Sequence, residues 1–150
     1  MANSYTLLYY HIVFATKYRI GWIIPEYEKQ IWGYLGGIAK NNGMVPLAIG
    51  GIEDHVHLVI RLNTKTTLCM AIQLLKGGSS KWIHEQFPGL ADFRWQNGYG
   101  AFTISHSSVE RTIRYVLRQR VHHCGDGYQE EYLKLLKLHG IEPDPKYLWD

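Results

Sequence analysis

Apart from Val59, polar and apolar side chains alternate along residues 55–63, within the segment EDHVHLVIRLN. A period of two residues is typical of a β-strand that covers a core with one face. One face of this strand is apolar and carries Val56, Leu58, Ile60 and Leu62. The other, more open face carries His55, His57, Val59 and Arg61. The pattern therefore predicts two imidazoles side by side on one face of a half-buried strand.

Similar patterns place the remaining elements along the chain. Strands are predicted at 5–16, 44–52 and 98–105. Helices are predicted at 25–43, at 66–75, from Ser107 or Ser108 onward, and at 129–139. The segment KGGSSKWIHEQF is predicted to resume or continue the second of these helices. This order predicts an α+β, ferredoxin-like split βαβ fold, in which an antiparallel sheet has helices on one face and extra C-terminal helices follow. No repeat or linker interrupts residues 1–150, which predicts a single domain.

The segment 108–123 is amphipathic when it is read as one helix. Its predicted core side carries Val109, Ile113, Val116 and Leu117. On the opposite side, Tyr115, Gln119 and His122 follow one another at i, i+4 and i+7. The sequence therefore predicts a phenol, an amide and an imidazole along one line of a helix.

The composition adds a mild basic bias. The chain has 150 residues, of which 46% are hydrophobic and 19% charged, and its formal net charge is +3. Such a bias permits a nucleic-acid partner without demonstrating one. The two cysteines form no CxxC pattern, and no apolar run reaches the length of a membrane span. We expect a soluble protein of the reducing cytoplasm.

The candidate chemistry is metal-assisted attack on a phosphodiester. His55 and His57 point the same way and could chelate a divalent cation, and Gln119 could add a carbonyl oxygen suited to Mg²⁺ or Mn²⁺. The Tyr115 hydroxyl could then attack phosphorus. An HxH pair is a weak signal by itself. These residues equally allow a metal-dependent phosphodiesterase that uses water, in which Tyr115 is structural.

Several motifs together resemble the HUH single-tyrosine transposases. EDHVHLVIRL followed by RYVLRQ carries the resemblance, and YHIVFATKYR, LKGGSSKW, WQNGYGAFTIS and HGIEPDPKYLW are most similar to the REP-associated tyrosine transposase branch. The resemblance implies a bacterial, nucleoid-associated enzyme that cleaves and rejoins single-stranded DNA with a hairpin. It implies that His55, His57 and Gln119 bind Mg²⁺ or Mn²⁺, and that Tyr115 forms a 5′-phosphotyrosine.

One segment departs from the family pattern. After the tyrosine the family usually reads like YIxNQEEHH, whereas this chain reads YVLRQRVHH. Arg120 falls among the apolar positions of the predicted helix, so the sequence does not predict how this segment packs. Because Tyr115 and Gln119 are retained, we still expect activity. His122 is a further candidate metal ligand.

Cations and small polar residues are candidate contacts for DNA phosphates. They are Lys17, Arg19, Arg61, Lys76, Ser79, Ser80 and Lys81, and the last four belong to a predicted basic loop that Gly77 and Gly78 loosen. Trp95 and Tyr99 are candidate stacking surfaces for bases, although a core position is at least as consistent with their sequence context.

The first strand and the histidine strand contain few of the Lys or Pro residues that block sheet edges. Together with the family resemblance, this predicts a homodimer. The sequence leaves open whether each tyrosine serves its own chain's histidines or its partner's.

The sequence also leaves open a third function, that of a domesticated protein that binds hairpin DNA without cutting it.

Overall fold

The computed structural model describes residues 4–122 and 127–150. In chain order, the strands and helices are β1 (Leu8–Ala15), α1 (Pro25–Asn41), β2 (Val45–Ile52), β3 (His55–Leu62), α2 (Leu68–Gln86), β4 (Gly100–Ile104), α3 (Val109–Leu117), α4 (Gln119–His122) and α5 (Tyr128–Leu138). Among the described helices, none combines the length and the hydropathy that crossing a membrane requires.

The four strands form one antiparallel sheet in the order β2-β3-β1-β4. This order, with α1 and α2 as the connections, confirms the predicted ferredoxin-like α+β fold. The expectation that β1 and β3 offer open edges is wrong, because they are the two central strands. The outer strands are β4 and β2, and β2 contains Pro46 and an irregularity between Pro46 and Ala48. Proline and bulges hinder pairing between edges, so the sheet-edge reason for a dimer does not hold.

The main hydrophobic core lies between one face of the sheet and helices α1 and α2. Its fully buried members include Ile12, Phe14, Leu58, Ile60, Leu35 and Leu75. Helix α2 continues without a break through Gly77 and Gly78, which confirms the predicted continuation of the helix through this segment. The predicted basic loop is therefore wrong. A Cβ at Gly78 would lie 3.0 Å from Ile38 Cδ1 of α1. The missing side chain therefore lets the two helices pack closely, which outweighs the low helix propensity of glycine.

The C-terminal helices cover the opposite face of the sheet. Val59 and Ala48 pack with Val116 of α3, and Val13 and Ala15 pack with residues of α5. As a result, the strand face that was predicted to be more open is buried. His55 and His57 both have 0% exposure.

Glycines in the two outer strands let these helices approach His57. Gly50 pairs directly with His57, and Gly100 lies in the same row across the sheet. A Cβ at Gly50 would lie 2.3 Å from the Val116 carbonyl oxygen, and one at Gly100 would lie 2.8 Å from Tyr132 Cε1. Side chains at either position would push α3 or α5 away. The docking of both helices beside His57 therefore depends on glycine.

The predicted helix over 108–123 is interrupted at Arg118, whose φ and ψ are −105° and 24°. Helix α3 ends before this residue and α4 begins after it. The interruption rotates the following residues relative to the predicted helical wheel. Gln119, which follows the interruption, is only 1% exposed, whereas Leu117, predicted in the core, precedes the interruption and is 63% exposed.

Candidate metal and tyrosine site

The two histidines of β3 direct nitrogen atoms at a single carboxylate. His57 Nε2 lies 2.7 Å from Glu131 Oε1, and His55 Nε2 lies 3.3 Å from the same oxygen. Glu131 comes from α5 and is 2% exposed. Ligand atoms of these three residues all lie within 4.8 Å of one another. They form a compact group with the donor types that divalent metals bind.

The outward nitrogens of the two rings are also engaged. His55 Nδ1 lies 2.7 Å from Asp54 Oδ1, and His57 Nδ1 lies 2.7 Å from Nε2 of the buried His11 in β1. Contacts of this kind fix the orientation and tautomer of an imidazole, and metal-binding histidines commonly make them. Both rings are therefore held with Nε2 directed into the site.

Gln119 and Tyr115 complete the cluster within the same chain. Gln119 Oε1 accepts a hydrogen bond from His55 Nε2 at 3.1 Å. The Tyr115 hydroxyl donates to Glu131 Oε2. The Tyr115 ring also meets His57 edge-on, with centroids 5.7 Å apart. The structure thus brings together the four residues that the sequence singled out, His55, His57, Tyr115 and Gln119.

The sequence interpretation missed Glu131, which links the tyrosine to both histidines. A usable signal was present in α5. Tyr128, Tyr132 and Leu135 define its inward side, and Glu131 lies on that side, where a carboxylate is rarely placed without a partner. His11 was missed because its partner His57 lies 46 residues away along the chain. Asp54 was missed although it directly precedes its partner His55.

The charges in this group are strongly coupled. Burial alone would lower the pKa of His55, but its hydrogen bonds with Asp54 and Glu131 raise it to about 9. Burial would raise the pKa of Glu131, yet the two histidines hold it well below its ordinary value. Burial, reinforced by Glu131, raises the pKa of the Tyr115 phenol far above its usual range. Glu131 therefore contacts both histidines and the Tyr115 phenol, and it favours the protonated forms of His55 and Tyr115.

Comparison with known proteins identifies the family of this chain. A protein family described as IS200-like transposase matches residues 4–119, well over half of the chain. The chain belongs to the IS200-like transposase family. The match ends before α5, so Glu131 lies beyond the matched residues.

Individual relatives of this transposase are distant in sequence. The ISDra2 transposase TnpA of Deinococcus radiodurans is 25% identical over 117 residues, which are 75% of this chain and 84% of the relative. A transposase for insertion sequence element IS200 of Salmonella typhimurium is 31% identical over 107 residues, which are 67% of this chain and 70% of the relative.

Two solved structures share the fold of this transposase. The crystal structure of a Deinococcus radiodurans protein assigned as a transposase has a TM-score of 0.65 and 26% identity, and the match covers 77% of this chain and 94% of that one. A REP-associated tyrosine transposase, solved bound to a REP hairpin, has a TM-score of 0.61 at 12% identity and covers 95% of this chain and 87% of that one. At that identity the second likeness concerns the fold alone.

The predicted DNA contacts of the transposase fall into separate places. Lys17 and Arg19 form a turn directly after β1, where Thr16 N donates to Asp54 O at 2.8 Å. This turn therefore lies near the His55 end of β3. Arg61 is exposed toward the other end of β3. Their roles in DNA binding stay predictions.

The candidates from α2 lie across the sheet from the tyrosine site. Lys76 Nζ donates to the backbone oxygens of Asn97 and Gly98, and burial lowers its pKa to about 8. Ser79 is fully buried and accepts a hydrogen bond from Trp95 Nε1, so its predicted exposure to DNA is wrong. Trp95 itself packs edge-on against Phe14, which supports its core role.

The other candidate DNA contacts on this side remain accessible. Ser80 is half-buried, Lys81 is exposed on α2, and Tyr99 is 40% exposed. The side chain of His122 lies outside the described part of the chain, so its role at the metal stays a prediction.

Arg120, the departure from the family pattern, does not enter the core. Its guanidinium donates to Glu53 Oε1 at 2.9 Å and to Glu28 Oε2 at 2.5 Å. These pairs connect α4 with the β2–β3 turn and with α1. The interruption at Arg118 turns this side chain outward, so the charged substitution leaves the packing of the transposase intact.

Proposed function

We propose that this transposase cleaves and rejoins single-stranded DNA by transesterification through Tyr115. One observation carries the proposal: the Tyr115 hydroxyl hydrogen-bonds to the same carboxylate that faces both histidines. A hydrolase that uses water has no need of a tyrosine at that point. A protein that only binds DNA has no need of the buried histidine–carboxylate group.

The residues present fit a divalent cation. His55 Nε2, His57 Nε2 and Glu131 Oε1 would be its ligands, and the Gln119 carbonyl oxygen would be a fourth. Mixed imidazole and oxygen donors suit Mn²⁺, and Mg²⁺ is the alternative that the oxygen donors favour. A bound cation would polarise the phosphate and offset the charge of Glu131.

The chain's own residues position the reacting atoms. Glu131 accepts the hydrogen bond of the Tyr115 hydroxyl and thereby fixes its oxygen beside the carboxylate that faces both histidines. In the proposed step, Tyr115 Oη gives up its proton as its bond to phosphorus forms, and the bond from phosphorus to the 3′ oxygen breaks as that oxygen takes up a proton. The products are a 5′-phosphotyrosine and a free 3′-OH. Rejoining reverses these changes, so it requires no nucleotide energy source.

We propose single-stranded DNA with a hairpin as the partner, and action in the cytoplasm at the nucleoid. The REP-associated relative in complex with a REP hairpin supports this partner. Lys17, Arg19 and Arg61 are the proposed phosphate contacts on the tyrosine side. Lys76, Ser80 and Lys81 are proposed contacts for another part of the DNA.

We also propose that each site is built within one chain. Tyr115 and Gln119 already reach His55 and Glu131 of their own chain. A homodimer stays a prediction from the family resemblance. In such a dimer, each chain would carry a complete site.

The test is covalent capture of DNA. Labelled single strands from both flanks of the gene are incubated with the protein and Mn²⁺ or Mg²⁺, then resolved on denaturing gels. We expect a protein–DNA adduct that Tyr115→Phe and EDTA both abolish. Cleavage without an adduct, retained by Tyr115→Phe, would indicate the phosphodiesterase. Binding without cleavage would indicate the hairpin binder.

A further inference from the structure

A cavity of about 350 Å³ opens beside Tyr115, between β4, the first turns of α3, and α5. Its lining includes Phe102, Ser108, Thr112, Tyr115, Leu135 and Leu138. The volume falls within the range of about 300–1,000 Å³ that is usual for ligand pockets. None of the proposed metal ligands lines it, so the cavity is adjacent to the metal site and separate from it.

The two sides of this cavity differ in chemistry. One side is apolar and aromatic, formed by Leu135, Leu138 and Phe102, and the His139 ring lies parallel to Phe102 with centroids 4.4 Å apart. The other side carries hydroxyls. Thr112 Oγ1 donates to the Ser108 carbonyl oxygen at 2.8 Å, which leaves its lone pairs as acceptors.

A nucleobase matches both sides of this cavity. Its flat faces are apolar and stack on rings and aliphatic side chains, whereas its edge carries hydrogen-bonding groups. The lining also includes a cation that could contact a phosphate. Arg111 lines the cavity, and its contact with Ser108 Oγ uses one of the five N–H donors of a guanidinium. The others are suited to a phosphate.

We propose that this cavity binds the base of one nucleotide next to the scissile phosphate. Tyr115 is both a wall of the cavity and the proposed nucleophile, so a nucleotide seated there lies against the side chain that would attack its phosphate. Single-stranded DNA can turn out one base without breaking a base pair. This inference rests on the proposed function and deepens it, because it assigns a specificity pocket to the cut strand.

The test uses the four deoxynucleoside 5′-monophosphates in NMR titrations of the labelled protein. Leu138→Trp plugs the cavity mouth. Leu133→Trp is the matched control, since it makes the same exchange on α5 at a residue that does not line the cavity. Both leucines are exposed, at 77% and 41%, so both variants should fold. We expect amide shifts at Thr112 and Leu135 in the wild type and control, and about tenfold weaker binding in Leu138→Trp.

Equal binding by Leu138→Trp and Leu133→Trp, or shifts confined to other surfaces, would overturn the inference. Thr112→Val is a second variant that keeps the shape and removes the hydroxyl. It should change the preference among the four bases, and an unchanged preference would count against a hydroxyl contact with the base edge. A covalent DNA adduct without nucleotide binding in the cavity defeats this inference and leaves the proposed function standing. Nucleotide binding there without any adduct defeats the assignment to the scissile nucleotide.

Discussion

The two faces of the sheet use alternate residues of the same strands, yet they bury different kinds of side chain. Against α1 and α2, the central strands bury only apolar groups such as Phe14 and Leu58. Against α3, α4 and α5, they bury His11, His55 and His57, together with Glu131 from α5. In the described part of the chain, every buried side-chain nitrogen and oxygen has a hydrogen-bond partner. One face therefore supplies most of the stability, and the other holds polar groups in fixed geometry at a cost that mutual hydrogen bonds offset.

The largest expected effect comes from removing the charge of Glu131, on the polar face of the sheet. Glu131→Gln keeps the shape and leaves the site without its carboxylate, so metal affinity and adduct formation should each fall by at least about 100-fold. Glu130→Gln is the matched control, because Glu130 is an exposed neighbour on α5. Calorimetric metal titration and denaturing gels measure the two effects. Equal behaviour of both variants would remove Glu131 from the metal site.

The apolar face should respond in stability rather than in chemistry. Leu35→Ala opens a cavity in the main core and should lower the free energy of unfolding by about 2–5 kcal/mol. Leu117→Ala, at a 63% exposed position of α3, should change it by less than about 0.5 kcal/mol. Urea unfolding measures both. We expect folded Leu35→Ala to form the adduct normally, and a loss of activity in the folded variant would show that the two faces are not separable.

A substitution at Gly50 should change both stability and activity, because Gly50 sets how closely α3 approaches His57. Gly50→Ala adds a Cβ that would lie only 2.3 Å from the Val116 carbonyl oxygen, so α3 must shift. It should cost about 1–3 kcal/mol of unfolding free energy and reduce adduct formation. Gly37→Ala is the control in α1, where nothing lies within 4 Å of the added Cβ. That change should be neutral or stabilise by about 0.5–1 kcal/mol.

The smallest expected effect is on the pH dependence of stability. The raised pKa of His55, about 9, means that the folded, metal-free protein binds this proton more tightly than the unfolded chain does. Its contribution is complete below pH 6.5 and is lost as pH rises through about 9, a change of about 1–3 kcal/mol. Unfolding in EDTA between pH 6 and 10 measures this slope. Asp54→Asn removes one cause of the raised pKa, so a slope as steep as that of the wild type would contradict the assignment.

The elements whose patterns are local were predictable from the sequence. The alternation along β3 placed both histidines on one face, and the order of elements gave the ferredoxin-like sheet. The burial of that face was not predictable, because it depends on α5 docking from far along the chain. Gly77 and Gly78 suggested a loop, since helix propensity says nothing about the close contact with Ile38. Glu131 was missed because it lies beyond the recognised motifs, and Gln119 was placed outward because the interruption at Arg118 has no clear sequence signal.

The central claim is that Tyr115 works with the histidines of its own chain. Mixing a His57→Ala protein with a Tyr115→Phe protein of different mass, followed by metal and single-stranded DNA, tests it directly. Wild-type protein should form the covalent adduct in the same experiment, whereas the mixture should form none, because neither chain holds a complete site. An adduct on the His57→Ala chain would show that the tyrosine serves a partner's histidines and would contradict the account.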